Sequence, residues 1–364
     1  MAVVRTGRAG GARPTLEQVA ARAGVGRGTV SRVINGSPRV SDRTRAAVQA
    51  AVAELGYVPN RAARALAAGS ADAIALVVPE PETRLFAEPY FSGILRGVSA
   101  ELADTDMQLL LTLIRSRRER DRFAQYVTAH RVDGVLLISV HADDPLPDLL
   151  ERIEMPAVLN GRRSGGETVP YVDCDNQGGA QQAVEHLIGR GRRAVATITG
   201  PLDMYVAQCR LEGYREAMRA AGREDGERLT AHGDFTEEGG HRAMRELLER
   251  EPGVDAVFCA SDVMAAGARL ALREAGRTVP GDVALVGFDD SAVARHMDPP
   301  LTTVRQPIEE MGRAMARTLL ELMAREPGAR GRRDRPPLPA GGAGARTPGP
   351  RLVLPTELVR RGSS

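Results

Sequence analysis

The chain reads as a small all-α domain joined to an α/β body built on two parallel sheets. Residues 15–56 carry three short apolar stripes at helical spacing. From residue 71 onward, short β-rich apolar runs alternate with helical stretches, the pattern of parallel sheets with helices on both faces. The charge divides near the same place. Residues 1–70 hold eleven arginines against Glu17, Asp42 and Glu54, whereas the remainder is net acidic, although the whole chain of 364 residues is only +2. A basic head on an acidic body points to a polyanionic partner for the head.

In chain order, residues 1–14 are Gly, Arg and Ala without periodicity and read as a flexible arm. Leu16, Val19, Ala20 and Ala23 form the first stripe, which Gly24 ends. Val30, Val33 and Ile34 form the second. Val48, Ala51, Val52 and Leu55 form the third, with Ser41 as N-cap and Gly56 just past its end. Two short helices joined by Gly24-Val25-Gly26, then a third, make a helix-turn-helix arrangement. On the second helix Gly28, Arg32 and Asn35 lie opposite the apolar stripe, with Ser31 beside them. That small, cationic face suits a DNA major groove. Arg32 can present a bidentate fork to guanine, and Thr29, Ser31, Asn35 and Ser41 are short donors suited to phosphate oxygens. The competing reading is a three-helix bundle that binds protein, which the basic charge disfavours.

In the body, strands are expected near Ala73–Val78, Met107–Leu113, Gly134–Ser139, Ala157–Asn160, Ala194–Thr199, Ala256–Cys259 and Ala284–Phe288. Helices such as Phe91–Asp104, Gly178–Gly189, Arg210–Ala221, Gly239–Glu249 and Val263–Ala275 lie between them. Residues 327–350, rich in Pro, Gly and Arg, read as a disordered loop before a last strand at Leu352–Leu354.

Several classes are disfavoured. No apolar run approaches the ~18 residues of a membrane span, and the first residues lack the apolar core of a signal peptide, so a cytoplasmic protein with no membrane partner is expected. Cys174, Cys209 and Cys259 are too few and too far apart for a disulfide scaffold or zinc spacing. The run Gly24-Val25-Gly26-Arg27-Gly28 imitates a dinucleotide loop, but no strand precedes it. GxSxG, HExxH and P-loop motifs are missing, and Glu185-His186 reads as a surface or capping pair. Neither enzyme, cofactor nor metal is expected.

The head, TLEQVAARAGVGRGTVSRVINGSPRVSDRTRAAVQAAVAELGYVPNRAARALA, resembles the LacI/GalR family of bacterial repressors through VAxxAGV, TVSRVIN, VSxxTR and ELGYxPNxxARxLA. The body shares GPLDMYVAQCRLEGYREAM, ASDVMAAGA, LVGFDDS, DPPLTTVRQP and LPTELVRRGSS with the same family, so the resemblance spans the chain. It implies a helix-turn-helix domain at 15–59 and a hinge helix at 60–70. A periplasmic-binding-protein-like core of two Rossmann-like subdomains would then cover 71–364, with its N-subdomain at 71–172 and 306–326 and its C-subdomain at 173–304 and 351–360. In the head it implies base contacts from Arg27, the position of Gly28, and Arg32. Asn60 would cap the hinge helix and face phosphate, and Leu66 would wedge into the minor groove. Gly28 departs from the side-chain-bearing residue usual there.

The same resemblance implies a ligand-responsive repressor, dimeric on a palindromic double-stranded DNA operator, with a sugar or related effector. The last residues, LVRRGSS, carry no leucine heptad of the kind a tetramer would need, so a dimer is expected. The effector residues it implies are Tyr90, Phe91, Asp175, Arg210, Phe235, Ser261, Asp289 and Gln306. Arginine and carboxylate groups can each hold two hydroxyls, and aromatic faces take the C–H side of a sugar ring. Core packing is the competing role for the three aromatics, and ion pairing for Arg210 and Asp289. Ser261 replaces a usual asparagine. Residues 79–88 form a longer link than usual, where Glu80, Glu82 and Arg84 either reshape the cleft mouth or form a solvated loop. The rival readings are a constitutive repressor with an empty cleft, a solute-binding receptor and an NAD(P)-dependent enzyme.

Overall fold

The computed structural model describes residues 14–34, 37, 39–57, 70–223, 227–325 and 349–364. The chain forms two compact units that divide between Gly69 and Ser70. Asn35, Asn60 and Leu66, with most of the expected hinge (60–70) and most of the loop at 327–350, lie outside the described residues.

The head contains α1 (Leu16–Ala23), α2 (Arg27–Ile34) and α3 (Asp42–Leu55). Thr15 opens α1 through a reciprocal cap with Gln18, and Ser41 caps α3 by accepting from the Thr44 backbone N–H. Gly24 and Gly56 end α1 and α3 at φ of +67° and +61°, left-handed geometry that a Cβ would strain. The stripes predicted from spacing meet: Val19, Val30, Val33, Val48 and Ala51 form one buried core, which Tyr57 closes.

The body holds two lobes. In the N-terminal lobe, β1 (Ala73–Val78), β2 (Gln108–Leu113), β3 (Gly134–Leu137), β4 (Ala157–Asn160), β5 (Tyr171–Cys174) and β11 (Arg351–Leu354) form a parallel sheet in the order β11-β5-β4-β3-β1-β2. The faces of β1 explain its unbroken apolar run. Ala73, Ala75 and Val77 pack into one core, and Ile74, Leu76 and Val78 into another on the opposite face. The helices of this lobe are α4 (Glu82–Ala87), α5 (Pro89–Leu102), α6 (Arg117–Thr128), α7 (Leu146–Arg152) and α13 (Ile308–Arg325).

In the C-terminal lobe, β6 (Val195–Thr199), β7 (Thr230–His232), β8 (Ala256–Cys259), β9 (Ala284–Asp289), β10 (Thr302–Arg305) and β12 (Glu357–Val359) are ordered β12-β10-β9-β8-β6-β7, with β12 alone antiparallel to its neighbour. Its helices are α8 (Asn176–Gly189), α9 (Tyr205–Ala220), α10 (Glu237–Arg250), α11 (Asp262–Glu274) and α12 (Ala292–His296).

The expected last strand, Leu352–Leu354, belongs to the N-terminal sheet rather than to the C-terminal lobe. Leu352 pairs in parallel with Val172 of β5, and only β12 returns to the other sheet. The chain therefore crosses between lobes after β5, after β10 and after β11. The strands β5, β7, β10 and β12 are short and interrupted by polar residues, so no apolar run announces them. Residues 79–88, the long link, contain α4. Among the described residues, no helix is long and apolar enough to cross a membrane, and Cys174, Cys209 and Cys259 are buried free thiols.

The N-terminal lobe is closed by α5 crossing α13 at backbone contact. A Cβ on Gly97 would stand 2.0 Å from the Glu309 carbonyl oxygen, and one on Gly312 would stand 2.4 Å from that of Ile94. Neither neighbour can yield without moving a helix. Gly97→Ala is expected to destabilise the body by about 1–3 kcal/mol, the usual cost of overpacking, read as a lowered urea midpoint.

Candidate functional site

A cavity lies between the two lobes, at the carboxyl ends of both parallel sheets, where open α/β folds bind ligands. It holds about 660 Å³ of unfilled space, counting its mouth. The backbone is strained around it: Ser139, Phe235 and Asp289 line the cavity with φ of +57°, +64° and +120°. Such conformations persist only where the surroundings impose them, and they concentrate at functional sites.

The floor is built on Arg210 of α9, which is 4% exposed. Its Nε donates to Asn176 Oδ1 at 2.9 Å and its Nη1 to the Ala260 carbonyl at 2.5 Å. The guanidinium lies 3.7 Å from the centroid of the Phe288 ring, and Asp289 Oδ1 is 3.7 Å from Nη1. Burial pushes the Asp289 carboxyl up to about 6, against the opposing pull of Arg210 and of Gln306, whose Nε2 donates to it. The next residue, Asp290, turns to Arg305 and Arg361 instead. Gln306 also accepts from Cys174 Sγ at 3.1 Å.

The roof comes from the N-terminal lobe. Tyr90 and Phe91 meet edge to face at 5.3 Å, and Tyr90 Oη donates to Asn160 Oδ1. Arg162 donates to Asp173 at 3.1 Å. The long link supplies Arg84, which is gripped by Glu80 and by Glu88, the latter at 2.6 Å, and whose guanidinium stands 5.4 Å from the Phe235 ring of the opposite lobe. Burial raises Glu88 to about 7 despite that pairing. Of the two readings of this link, Glu80 and Arg84 take the cleft mouth, both mostly buried, while Glu82 is half-exposed and pairs with Arg115.

Of the expected effector residues, Tyr90, Phe91, Arg210, Phe235, Ser261, Asp289 and Gln306 line the cavity. Ser261 also caps α11 by accepting from the Met264 backbone N–H. Asp175 is a correction: it is exposed, sits at the N-cap of α8 and accepts from Gly178 at 2.9 Å, so its carboxylate serves the helix rather than the cavity. Asp173 and Asn176, its near neighbours, take that place. Arg84, Glu88, Asn160, Arg162, Asp173 and Asn176 form the polar lining that motif matching passes over. All but Arg84 and Glu88 stand at or just beyond a strand's carboxyl end. Among the described residues, no set of His, Cys, Asp and Glu side chains gathers to hold a metal.

In the head, α2 presents Arg27, Gly28 and Arg32 exposed, with Thr29 and Ser31 half-buried. Arg27 is held 3.1 Å from Glu17, with three-quarters of its side chain exposed. A Cβ at Gly28 would meet nothing within 4 Å, so packing does not require glycine there. The Ser41 hydroxyl is engaged in its cap, bonded also to Thr44 Oγ1 at 2.9 Å.

With this geometry in view, residues 15–60 match the model of bacterial regulatory proteins of the lacI family, and residues 184–364 that of a periplasmic binding protein-like domain. The transcriptional regulator CelR of Thermobifida fusca is 55% identical over 316 residues, 86% of this chain and 93% of CelR. The chain belongs to the LacI family. The ribose operon repressor of Escherichia coli K12 is 35% identical over 82% of this chain and 89% of its own length. Among solved structures, a CelR–cellobiose complex superposes with a TM-score of 0.73 at 50% identity, covering 97% of this chain and 100% of that one. A lac repressor dimer bound to operator and an anti-inducer gives a TM-score of 0.80 at 26% identity, covering 97% and 99%. This LacI-family chain is a ligand-responsive, DNA-binding transcriptional regulator rather than an enzyme.

Direct contacts join the lobes at the mouth. His141, after β3, places Nδ1 at 2.7 Å from Asp203, after β6, and Nε2 at 3.3 Å from Glu80. The Ala142 backbone N–H donates to the Asp203 carbonyl at 2.9 Å. Hydrogen bonding to Glu80, then to Asp203, outweighs burial and raises His141 to about 9. Asp144 is a further carboxylate that feels its charge. Because the folded value lies above that of a free histidine, the contribution is fully present below pH ~6.5 and is lost as pH rises through ~9. His141→Gln is therefore expected to cost about 1–2 kcal/mol near pH 6, after discounting for its partial exposure. The gap from wild type in urea midpoint should close by about pH 10.

Proposed function

We propose that this protein is a homodimeric repressor that binds a near-palindromic operator and responds to a neutral, β-linked disaccharide of the cellobiose class. The observation that carries the effector reading is the charge balance of the cavity. Arg84 faces Glu80 and Glu88, Arg162 faces Asp173, and Arg210 faces Asp289. Every cation in the lining has its carboxylate, so nothing is left over to neutralise a phosphate or a carboxylate on a ligand. Paired fork-shaped groups flanked by Tyr90, Phe91 and Phe235 suit a polyhydroxylated ring with an apolar face. A CelR 50% identical to this chain has been solved with cellobiose.

For the head, α2 enters the major groove, Arg27 and Arg32 read base edges beside the open surface at Gly28, and Thr29 and Ser31 meet phosphate. A two-fold dimer reads the same half-site twice. The second copy has an apolar surface to cover: β2 is an edge strand of the N-terminal sheet on which Leu110 and Leu111 are exposed.

In a mobility-shift titration, cellobiose is expected to change the occupancy of the operator, whereas ribose and sugar phosphates leave it unchanged. A response to a sugar phosphate but not to cellobiose contradicts the reading. Arg210→Ala is expected to abolish calorimetric cellobiose binding and to destabilise the body by about 3–5 kcal/mol, because it leaves Asp289 buried without its cation. Arg32→Ala is expected to cost about 1–3 kcal/mol of operator affinity and to relax preference at one symmetric base pair. An equal loss on random DNA would make Arg32 a phosphate contact.

A further inference from the structure

The lining contains one polar group whose state the fold itself does not explain. Asn160 ends β4, is 5% exposed and lines the cavity. Its Oδ1 accepts from the Tyr90 hydroxyl, but its Nδ2 is buried and has no hydrogen-bond partner among the described residues. Buried amide groups are almost always paired, because an unmade bond forfeits the hydration the group had in water. The other buried amides around the cavity obey this rule: Asn176 donates to Asp173 and to the Cys174 carbonyl, and Gln306 donates to Asp289.

We propose that Asn160 is a specificity-determining residue of the effector site, with Tyr90 as its positioning residue. Tyr90 donates to the amide oxygen, which fixes the amide, and the N–H₂ is the group left without a partner among the described residues. A ligand group that meets this N–H₂ must supply an acceptor, and a saccharide hydroxyl or ring oxygen is such a group. The donor is neutral, so it adds no charge to the balanced lining. An effector with a C–H or methyl at the same point would leave the donor unpaired and be rejected, which is how buried polar groups discriminate between close analogues.

This inference rests on the saccharide reading of the cavity, and the test separates the two. Calorimetric titration of the full chain with cellobiose is made for the wild type, Asn160→Leu and Asn160→Ala, and the melting temperature of each unliganded protein is measured alongside. The expected result is a Kd weakened by about tenfold in both variants. The melting temperature of Asn160→Leu is expected to fall modestly, because the substitution removes the unpaired donor but also the oxygen to which the Tyr90 hydroxyl donates. A purely structural asparagine would lower the melting temperature and leave the Kd unchanged. A Kd within about twofold of the wild type in Asn160→Ala overturns the inference even where the leucine variant does not fold. Cellobiose binding that survives both substitutions overturns the inference alone. No binding by the wild type overturns the saccharide reading, and the inference with it.

Discussion

The buried guanidinium of Arg210 is the group on which the rest of the effector core depends. A cation this far from water is tolerated only when its donors are satisfied and a counter-charge is near. Asn176, the Ala260 carbonyl, the Phe288 ring and Asp289 meet that demand between them. Two of these partners stand beside places where the chain passes from one lobe to the other. Asn176 follows the crossing after β5, and Asp289 is held by Gln306, which follows the crossing after β10. Gln306 closes the circuit by accepting from Cys174, the last residue of β5. One charge thus ties two of the connecting strands to the floor of the cavity, and a ligand that engages it acts where relative lobe orientation is set.

A second tier of contacts sits at the mouth. Glu80 gathers Arg84, Ser139 and His141, and His141 reaches Asp203 across the cleft, while Arg84 and Arg162 lie over Phe235 and Tyr205 of the opposite lobe. These contacts hold the two lobes together in the arrangement described. An effector shifts the balance between arrangements by no more than its differential affinity for them. The short helix α4 belongs to this tier, since it converts a long link into a rigid arm that delivers Arg84.

Much of this was legible from the residues. In the head, helical spacing, Thr15 and Ser41 as caps, and Gly24 and Gly56 as stops specify the three helices, because a bundle this small draws its form from local signals. In the body, the apolar runs of β1, β3, β4 and β6 announce themselves, since strands covered on both faces need no polar alternation. The strands β5, β7, β10 and β12 do not, because polar residues such as Asp173, Thr230, Thr302, Thr303 and Glu357 interrupt them and no apolar run forms. The misplacement of Leu352–Leu354 has another cause: which sheet a short strand joins is a tertiary property. At the site, Arg210, Asp289 and Gln306 were found through motifs, and Asp175 was misread for Asp173, two residues away. Side chains alternate along a strand, and the residue after its end is free to cap the next helix. Asn160 and Arg162 carried a usable signal, a polar side chain at the carboxyl end of an apolar strand, whereas Glu88 and Arg84 depend on a helix that no periodicity predicts.

The claim that ties these features together is that effector hydroxyls are held by the Arg210–Asp289 floor under the Tyr90–Asn160 roof. A crystal structure of the core grown with cellobiose tests it directly. The account predicts saccharide oxygens within hydrogen-bond distance of the Arg210 guanidinium and the Asp289 carboxylate, with both lobes in contact with the ligand. A saccharide bound to one lobe only, or outside this cavity with the Arg210 network intact and untouched, would contradict it.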